Sequence, residues 1–303
     1  MEYIQKVLDA ADSWQRSKRP IAFTWAVIKK YGNDQAGYQA ALVTYYGFLS
    51  LFPLLLVLST VTTLIGHSHP MFQHDVIKSI STYFPGIGSQ LTAHTESSHK
   101  SGFALIIGTL FTFYGARGVA DAFRNGVNHI WWTPQTKRVG FPKSNIQSIT
   151  IIIVGGLGLI LASIISGFAA SVGQSIVFRL ASILVNIGLL SVLFGFLLNF
   201  SLPKHVSFKE VRAGAIAAAI GLTLMQSIGG FLLTRELKNL DTLYSTFAIA
   251  LGLLFWIYLQ AQVLFYAVEI ASVGTQKKWP RSLTGKHPTA ADKAVNVYLS
   301  QEI

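Results

Sequence analysis

The sequence predicts an all-α fold: a polytopic membrane helix bundle of about six transmembrane helices, both termini cytoplasmic, with short amphipathic helices on the membrane surface. Three observations carry this expectation. Of 303 residues, 51% are hydrophobic and only 12% charged, for a mean hydropathy of +0.47; a soluble domain carries about twice that charged fraction. The apolar residues gather in runs of about 20 or more, the length that crosses a hydrocarbon core of about 30 Å as a helix. Finally, the basic residues collect on one side of those runs. Lipid offers no partner to backbone N–H and C=O groups, so the runs must be helical, and they are too uniformly apolar for barrel strands.

The spans are expected at 41–66, 102–123, 146–171, 180–202, 210–233 and 246–273. Assigning the segments between them alternately to two sides places six Lys/Arg in residues 1–40, five in 117–145, three in 203–212 and five in the C-terminal tail. Those nineteen face only five on the other side, Lys78, Lys100, Arg179, Arg235 and Lys238, which puts both termini in the cytoplasm. The formal net charge of +11 therefore reads as a topological determinant and a contact for anionic membrane lipids, and no nucleic-acid partner is expected. There is no cysteine, which excludes disulfides, thiol nucleophiles and thiolate zinc sites. Residues 1–40 hold no short apolar core with a cleavage site, so the first span is expected to act as its own insertion signal.

Three regions follow: cytoplasmic interfacial helices over 1–40, a six-helix transmembrane domain over 41–274, and a cytoplasmic polar tail over 275–303. In the first, Ile4, Val7, Leu8, Ala11 and Trp14 fall at helical spacing and predict a helix lying on the inner membrane surface or packed on cytoplasmic loops. The external loop 67–100 carries a second stripe, Val76, Ile77, Ile80, Tyr83 and Phe84, stopped by Pro85-Gly86. The tail, with Pro280, Gly285 and Pro288, is expected to be a loop or a disordered extension.

Ionisable groups inside spans cost about 2.5–3.5 kcal/mol on insertion scales, so each needs a partner or a purpose. Arg117, Asp121 and Arg124 share one helix face at the cytoplasmic end of span two, and Glu269 lies at similar depth in span six. Tyr45 and Tyr46 begin span one at that level. Glu269 is expected to pair with Arg117 or Arg124, Arg117 preferred as the deeper. Together these residues read either as charges that lock helices or as the lining of a polar cavity open to the cytoplasm. Pro53 should kink span one, with Ser50 positioned to satisfy the carbonyl of Leu49 that the kink frees. Gly155, Gly156 and Gly158 in span three, and Gly214, Ala218, Gly221 and Gly229 in span five, predict close helix contacts. Gly47-Phe48-Leu49-Ser50 recurs loosely as Gly188-Leu189-Leu190-Ser191, in the manner of an inverted repeat.

Five of eight histidines lie in the external loop, and His67-Ser68-His69 invites a metal reading. A binuclear hydrolase would need H-x-H-x-D-H, whereas Met71 and Phe72 stand at the Asp and His positions. No nucleophile elbow, Walker loop or HExxH occurs, so no catalytic residue, metal or cofactor is expected.

Tyr45-Tyr46-Gly47-Phe48-Leu49-Ser50-Leu51-Phe52-Pro53 resembles the first-span signature of the YihY/BrkB family of bacterial inner-membrane proteins. Arg117-Gly118 through Asn128-His129-Ile130-Trp131 resembles that family's second-span exit, and Trp256-Ile257-Tyr258 with Gln262 and Ala267-Val268-Glu269 its last-span signature. Ala267 stands where the pattern has glycine, which is expected to loosen helix packing there. The resemblance implies a multi-pass protein of the bacterial inner membrane. It also carries an older label, ribonuclease BN, against which the failed metal pattern speaks. The expected role is non-enzymatic: handling a small or amphiphilic solute through the cavity, with Tyr45, Tyr46, Ser50, Pro53, Arg117, Asp121, Arg124 and Glu269 as its residues. A structural or assembly role is the alternative, and a membrane ribonuclease the last choice.

Overall fold

The computed structural model describes residues 2–66, 102–171, 176–202, 206–236 and 242–301. These residues form α1 (Glu2–Ser17), α2 (Arg19–Asn33), α3 (Ala36–Gly66), α4 (Gly102–Ile130), α5 (Lys143–Ser171), α6 (Ile176–Ser201), α7 (Phe208–Glu236), α8 (Thr242–Thr275) and α9 (Ala290–Gln301), with a 3₁₀ turn at Gln135–Lys137 and no strand among them. The external loop, with its expected helix and five histidines, lies outside the described residues. The side chain of Pro53 does too, although α3 runs through that position.

Among the described residues, four stretches are long and apolar enough to cross a membrane: Lys143–Ala162, Leu180–Ser201, Phe208–Gly229 and Ala250–Thr275. Their side chains are distributed inside out. Leu157 and Ile160 of α5, Leu184 and Val192 of α6, Leu224 of α7 and Phe255 of α8 are exposed, while Ala215, Ala218 and Ala219 of α7 and Ala261 and Ala267 of α8 are buried. Water would penalise that arrangement; lipid rewards it, because small residues let helices approach while large ones meet acyl chains. At 31 and 29 residues, α3 and α4 are as long, but part of each lies outside the described side chains.

The six long helices close into a ring. Each of α3 to α7 packs on the next, α8 returns to α3, and α4 also reaches α6 and α8. Two glycines illustrate its close seams. A Cβ on Gly118 of α4 would run into the ring of Tyr46, and one on Gly214 of α7 into the backbone carbonyl of Ala267 on α8. Ala267 therefore does not loosen the last helix: the close approach expected of a glycine there is supplied by Gly214 across the seam. Of the span-three glycines, Gly158 meets Leu193, whereas Gly156 faces open space. Ser50 donates to the carbonyl of Gly47 at 2.9 Å, not to that of Leu49, because i−3 back-bonding within its own turn is within reach.

At one end of the ring the terminal segments fold together. On α1, Asp12 and Gln15 are buried against the protein while Val7, Leu8 and Trp14 stay exposed. Extended geometry at Lys18 and Pro20 in the first turn start α2, which packs along α8, with Tyr31 stacked on Tyr266 at 3.9 Å. The tail is not the expected loose extension. Thr289 and Asp292 cap α9 reciprocally: the Asp292 carboxylate accepts from the Thr289 N–H (3.1 Å), and the Thr289 hydroxyl from the Asp292 N–H (3.2 Å). Asp292 also accepts from Lys29 (3.1 Å), Arg281 (3.0 Å) and the Ser282 N–H (2.8 Å), and Asp12 accepts from the N–H of Leu283 (2.8 Å). Burial alone would raise both carboxyls, yet these donors hold both below the usual carboxylate range.

Candidate functional site

Where the ends of α2, α4 and α8 meet, a charged cluster is sealed inside the protein. Lys30 of α2 and Glu269 of α8 are both 0% exposed. The Lys30 ammonium donates to Glu269 Oε2 at 2.9 Å, to Asp34 one turn along α2, and to the carbonyl of Ile130, the last residue of α4, at 2.8 Å. Ser272 donates to the same carbonyl at 3.2 Å. A cation there meets the negative end of a helix dipole as well as two carboxylates. Lys278 Nζ lies 2.8 Å from the ring centre of Trp132. Burial, then the nearby Lys30 charge, push Lys278 down to about 6, against the pull of Asp34 and Glu269. Glu269 Oε1 and Lys278 Nζ are both buried and make no hydrogen bond.

The backbone is bent to build this cluster. Among the described residues, the non-glycines in the left-handed region are Gln35, Trp132 and Lys277, with φ of 49°, 56° and 53°. They follow the ends of α2, α4 and α8 in turn. After α4, Thr133 N–H bonds Asn128 O and Trp132 N–H bonds His129 O; after α8, Lys278 N–H bonds Val273 O. Glycine usually takes the left-handed place in such a cap, and a side chain there costs about 1–2 kcal/mol. Trp132 recovers this through contacts glycine cannot make: its Nε1 donates to Asp34 at 3.2 Å and its ring stacks on Tyr298 of α9 at 4.2 Å.

Beside the cluster opens a cavity of about 480 Å³, lined by Gln39, Asn125, His129, Thr133, Pro134, Gln135, Arg138 and Tyr298. Cavity and cluster share a wall. His129 Nε2 lies 3.0 Å from the carbonyl oxygen of Asp34, which can only accept, so Nε2 carries the proton and Nδ1 is the ring's other polar atom. Arg138 is anchored by its Nε donating to Thr133 O at 3.0 Å.

Residues 27–292 match the family described as "Virulence factor BrkB". The chain belongs to the BrkB family. It is 22% identical over 281 residues to the "Putative ribonuclease-like protein YfkH" of Bacillus subtilis (strain 168), covering 86% of this chain and 98% of that protein. It is 23% identical over 272 residues to the "Inner membrane protein YhjD" of Escherichia coli (strain K12), covering 82% and 80%. It is 25% identical over 276 residues to the "UPF0761 membrane protein PsycPRwf_0630" of Psychrobacter sp. (strain PRwf-1), covering 84% and 49%. No solved structure matches it. With its apolar helices and this kinship, it is a multi-pass protein of the inner membrane.

In this BrkB-family chain the residues singled out from sequence fall into separate groups. Arg117 and Arg124 both pair with Asp121 at 3.5 and 3.2 Å, and reach Asn145 (2.7 Å), Gln147 (3.3 Å) and the carbonyl of Ser144 (3.1 Å). They tie α4 to the start of α5. Neither arginine meets Glu269, whose partner is Lys30; the expected pairing is corrected. Tyr45 is 59% exposed on the outer surface, Tyr46 is packed on Gly118, and Ser50 bonds within α3. Of the members of that set whose side chains are described, only Glu269 belongs to the cluster, and none lines the cavity. Lys30, Asp34 and Lys278 lie outside the apolar runs, where sequence gives a charge no cost that would mark it, and Trp132 lies just beyond the end of α4. A signal existed: Ala22, Ala26 and Lys30 form an i, i+4 stripe, with Asp34 one turn further, a lone cation in line with two small residues that the structure buries.

Proposed function

We propose that this BrkB-family protein is non-enzymatic and transporter-like, with six spans and cytoplasmic termini, and that it handles a small or amphiphilic solute in the polar cavity, which opens to the cytoplasm. One observation carries the reading: a buried ion cluster with two unbonded polar atoms shares His129, Asp34 and Trp132 with the cavity wall or its support. The Arg117–Asp121–Arg124 set, by contrast, leaves no buried side-chain polar atom unbonded, and an idle buried polar atom is costly. On this reading solute in the cavity is coupled to the proton and charge balance of Lys30, Asp34, Glu269 and Lys278.

The test is flux. Proteoliposomes of the wild type and of the Lys30→Met/Glu269→Gln double variant are loaded with labelled anions, cations and headgroup-labelled lipids. The wild type is expected to speed the passage of at least one over protein-free liposomes, and the folded double variant none. Equal rates in both proteins would favour an architectural role for the cluster. For YfkH the printed name offers a ribonuclease-like reading; purified protein here is expected to leave RNA uncut, and cleavage abolished by His67→Ala would reverse the assignment.

A further inference from the structure

We propose that the cavity binds phosphate: its ligand is a phosphate-bearing solute or lipid headgroup, held chiefly by Arg138. This deepens the solute reading above and rests on the same cavity. Its lining contains an arginine and a histidine and no carboxylate, and Gln39, Asn125, Gln135 and Tyr298 add neutral donors. Arg138 spends Nε on Thr133 O, which fixes the guanidinium plane and leaves its two Nη groups as the fork that grips a tetrahedral oxyanion. The closing turn of α4 would normally repel an anion with its free carbonyls. Here they are occupied: Val127, Asn128 and His129 O accept backbone N–H groups, and Ile130 O accepts from Lys30 and Ser272. The buried carboxylates of Asp34 and Glu269 both bond Lys30, which offsets one of their two charges, and neither is in the cavity lining.

The volume, about 480 Å³, exceeds what one free phosphate fills and suits a phosphate with an organic substituent. In the segment that follows these lining residues, Lys137 and, at the start of α5, Lys143 are exposed, with Phe141 83% exposed between them in sequence. Basic residues flanking an exposed aromatic suit an anionic membrane surface, from which a headgroup would enter.

The experiment uses the full chain in phosphatidylcholine nanodiscs and reads the thermal transition of each protein against its own baseline. One arm adds inorganic phosphate at constant ionic strength; the other replaces part of the lipid with phosphatidic acid. At least one arm is expected to raise the transition of the wild type and of Lys209→Gln, an exposed lysine outside the cavity lining. In Arg138→Gln the apparent affinity should fall about tenfold or more, with Arg138→Lys in between because charge remains but the fork is lost. A phosphate response alone assigns a free solute, and a lipid response alone a headgroup. Should Arg138→Gln lack a cooperative transition, Gln39→Leu, also in the lining, serves in its place. No response in either arm, or one undiminished by these variants, overturns the proposal. Phosphate binding without flux of any solute would sink the transport reading and leave this site standing; flux without a phosphate response would sink the site alone.

Discussion

Lys30 holds two carboxylates and a helix-terminal carbonyl at once, so its loss and theirs are unequal events. Lys30→Met leaves Asp34 and Glu269 buried with no cation bonded to either, and should lower stability by about 3–5 kcal/mol. Glu269→Gln should cost less, because Lys30 keeps Asp34. The double variant should lie nearer wild type than the sum of the singles, measured by unfolding in detergent; additivity within about 0.5 kcal/mol would refute the coupling. Arg117→Gln, whose partners are Asp121 and Asn145, should simply add to Glu269→Gln. Lys278 supplies a pH signature. Its folded value, about 6, lies below the ordinary 10.5, so between them the unfolded chain holds a proton the folded one lacks. Stability should therefore rise with pH across that window and level off below about 6, and Lys278→Met should flatten the rise. An unchanged slope would count against it. At this scale Glu269 was legible as an acid too costly to be idle. Its partner was not, since hydropathy ranks Lys30 with the solvated charges of a surface helix, and only three-dimensional packing distinguishes them.

Helix ends, more than helix middles, build the site, and ends are what apolar patterning reads worst. The long spans were legible because lipid demands about 20 apolar residues in a row. The caps were not: Trp132, Lys277 and Gln35 occupy places where glycine would announce a turn. The tail was misread for its Pro and Gly, although Thr289-Ala290-Ala291-Asp292 is a capping-box sequence that marks the start of α9. Asp292 gathers Lys29, Arg281 and Ser282 around that cap, so Asp292→Ala should free the tail and speed tryptic cleavage at Lys286 and Lys293 several-fold. Unaltered digestion would mean the latch is held elsewhere. Because the folded pKa of Asp292 is depressed, its contribution is full above the ordinary carboxylate value of 3.8 and is lost only as pH falls through the lower folded value. The wild-type tail should thus resist trypsin as well at pH 5 as at pH 7, after correction for the protease's own pH dependence.

For the whole molecule, orientation rests on the 19-to-5 division of basic residues, and the absence of native cysteine makes it directly testable. Single cysteines at Ser13, Ser98 and Lys286 should react with an impermeant thiol reagent on intact cells only for Ser98→Cys. Ser13 and Lys286 are exposed, so silence there is topological; labelling of either from outside would invert the molecule. Ring order could not be read from the chain, since every span offers lipid a similar apolar face. The buried pair has a consequence for synthesis. Lys30 and Glu269 stand 239 residues apart, a separation that takes roughly tens of seconds to translate at about 5–20 residues per second. Throughout that interval the cation has no Glu269 to meet. Its place on α2, ahead of the first long helix, lets it wait in water while the apolar helices between the two are made. The carboxylate, made last, spends no comparable time unpaired. The order in which the ribosome delivers the two charges spares the bilayer an orphan ion, and an N-terminal acid with a late lysine would serve equally; a cation placed early within a span would not.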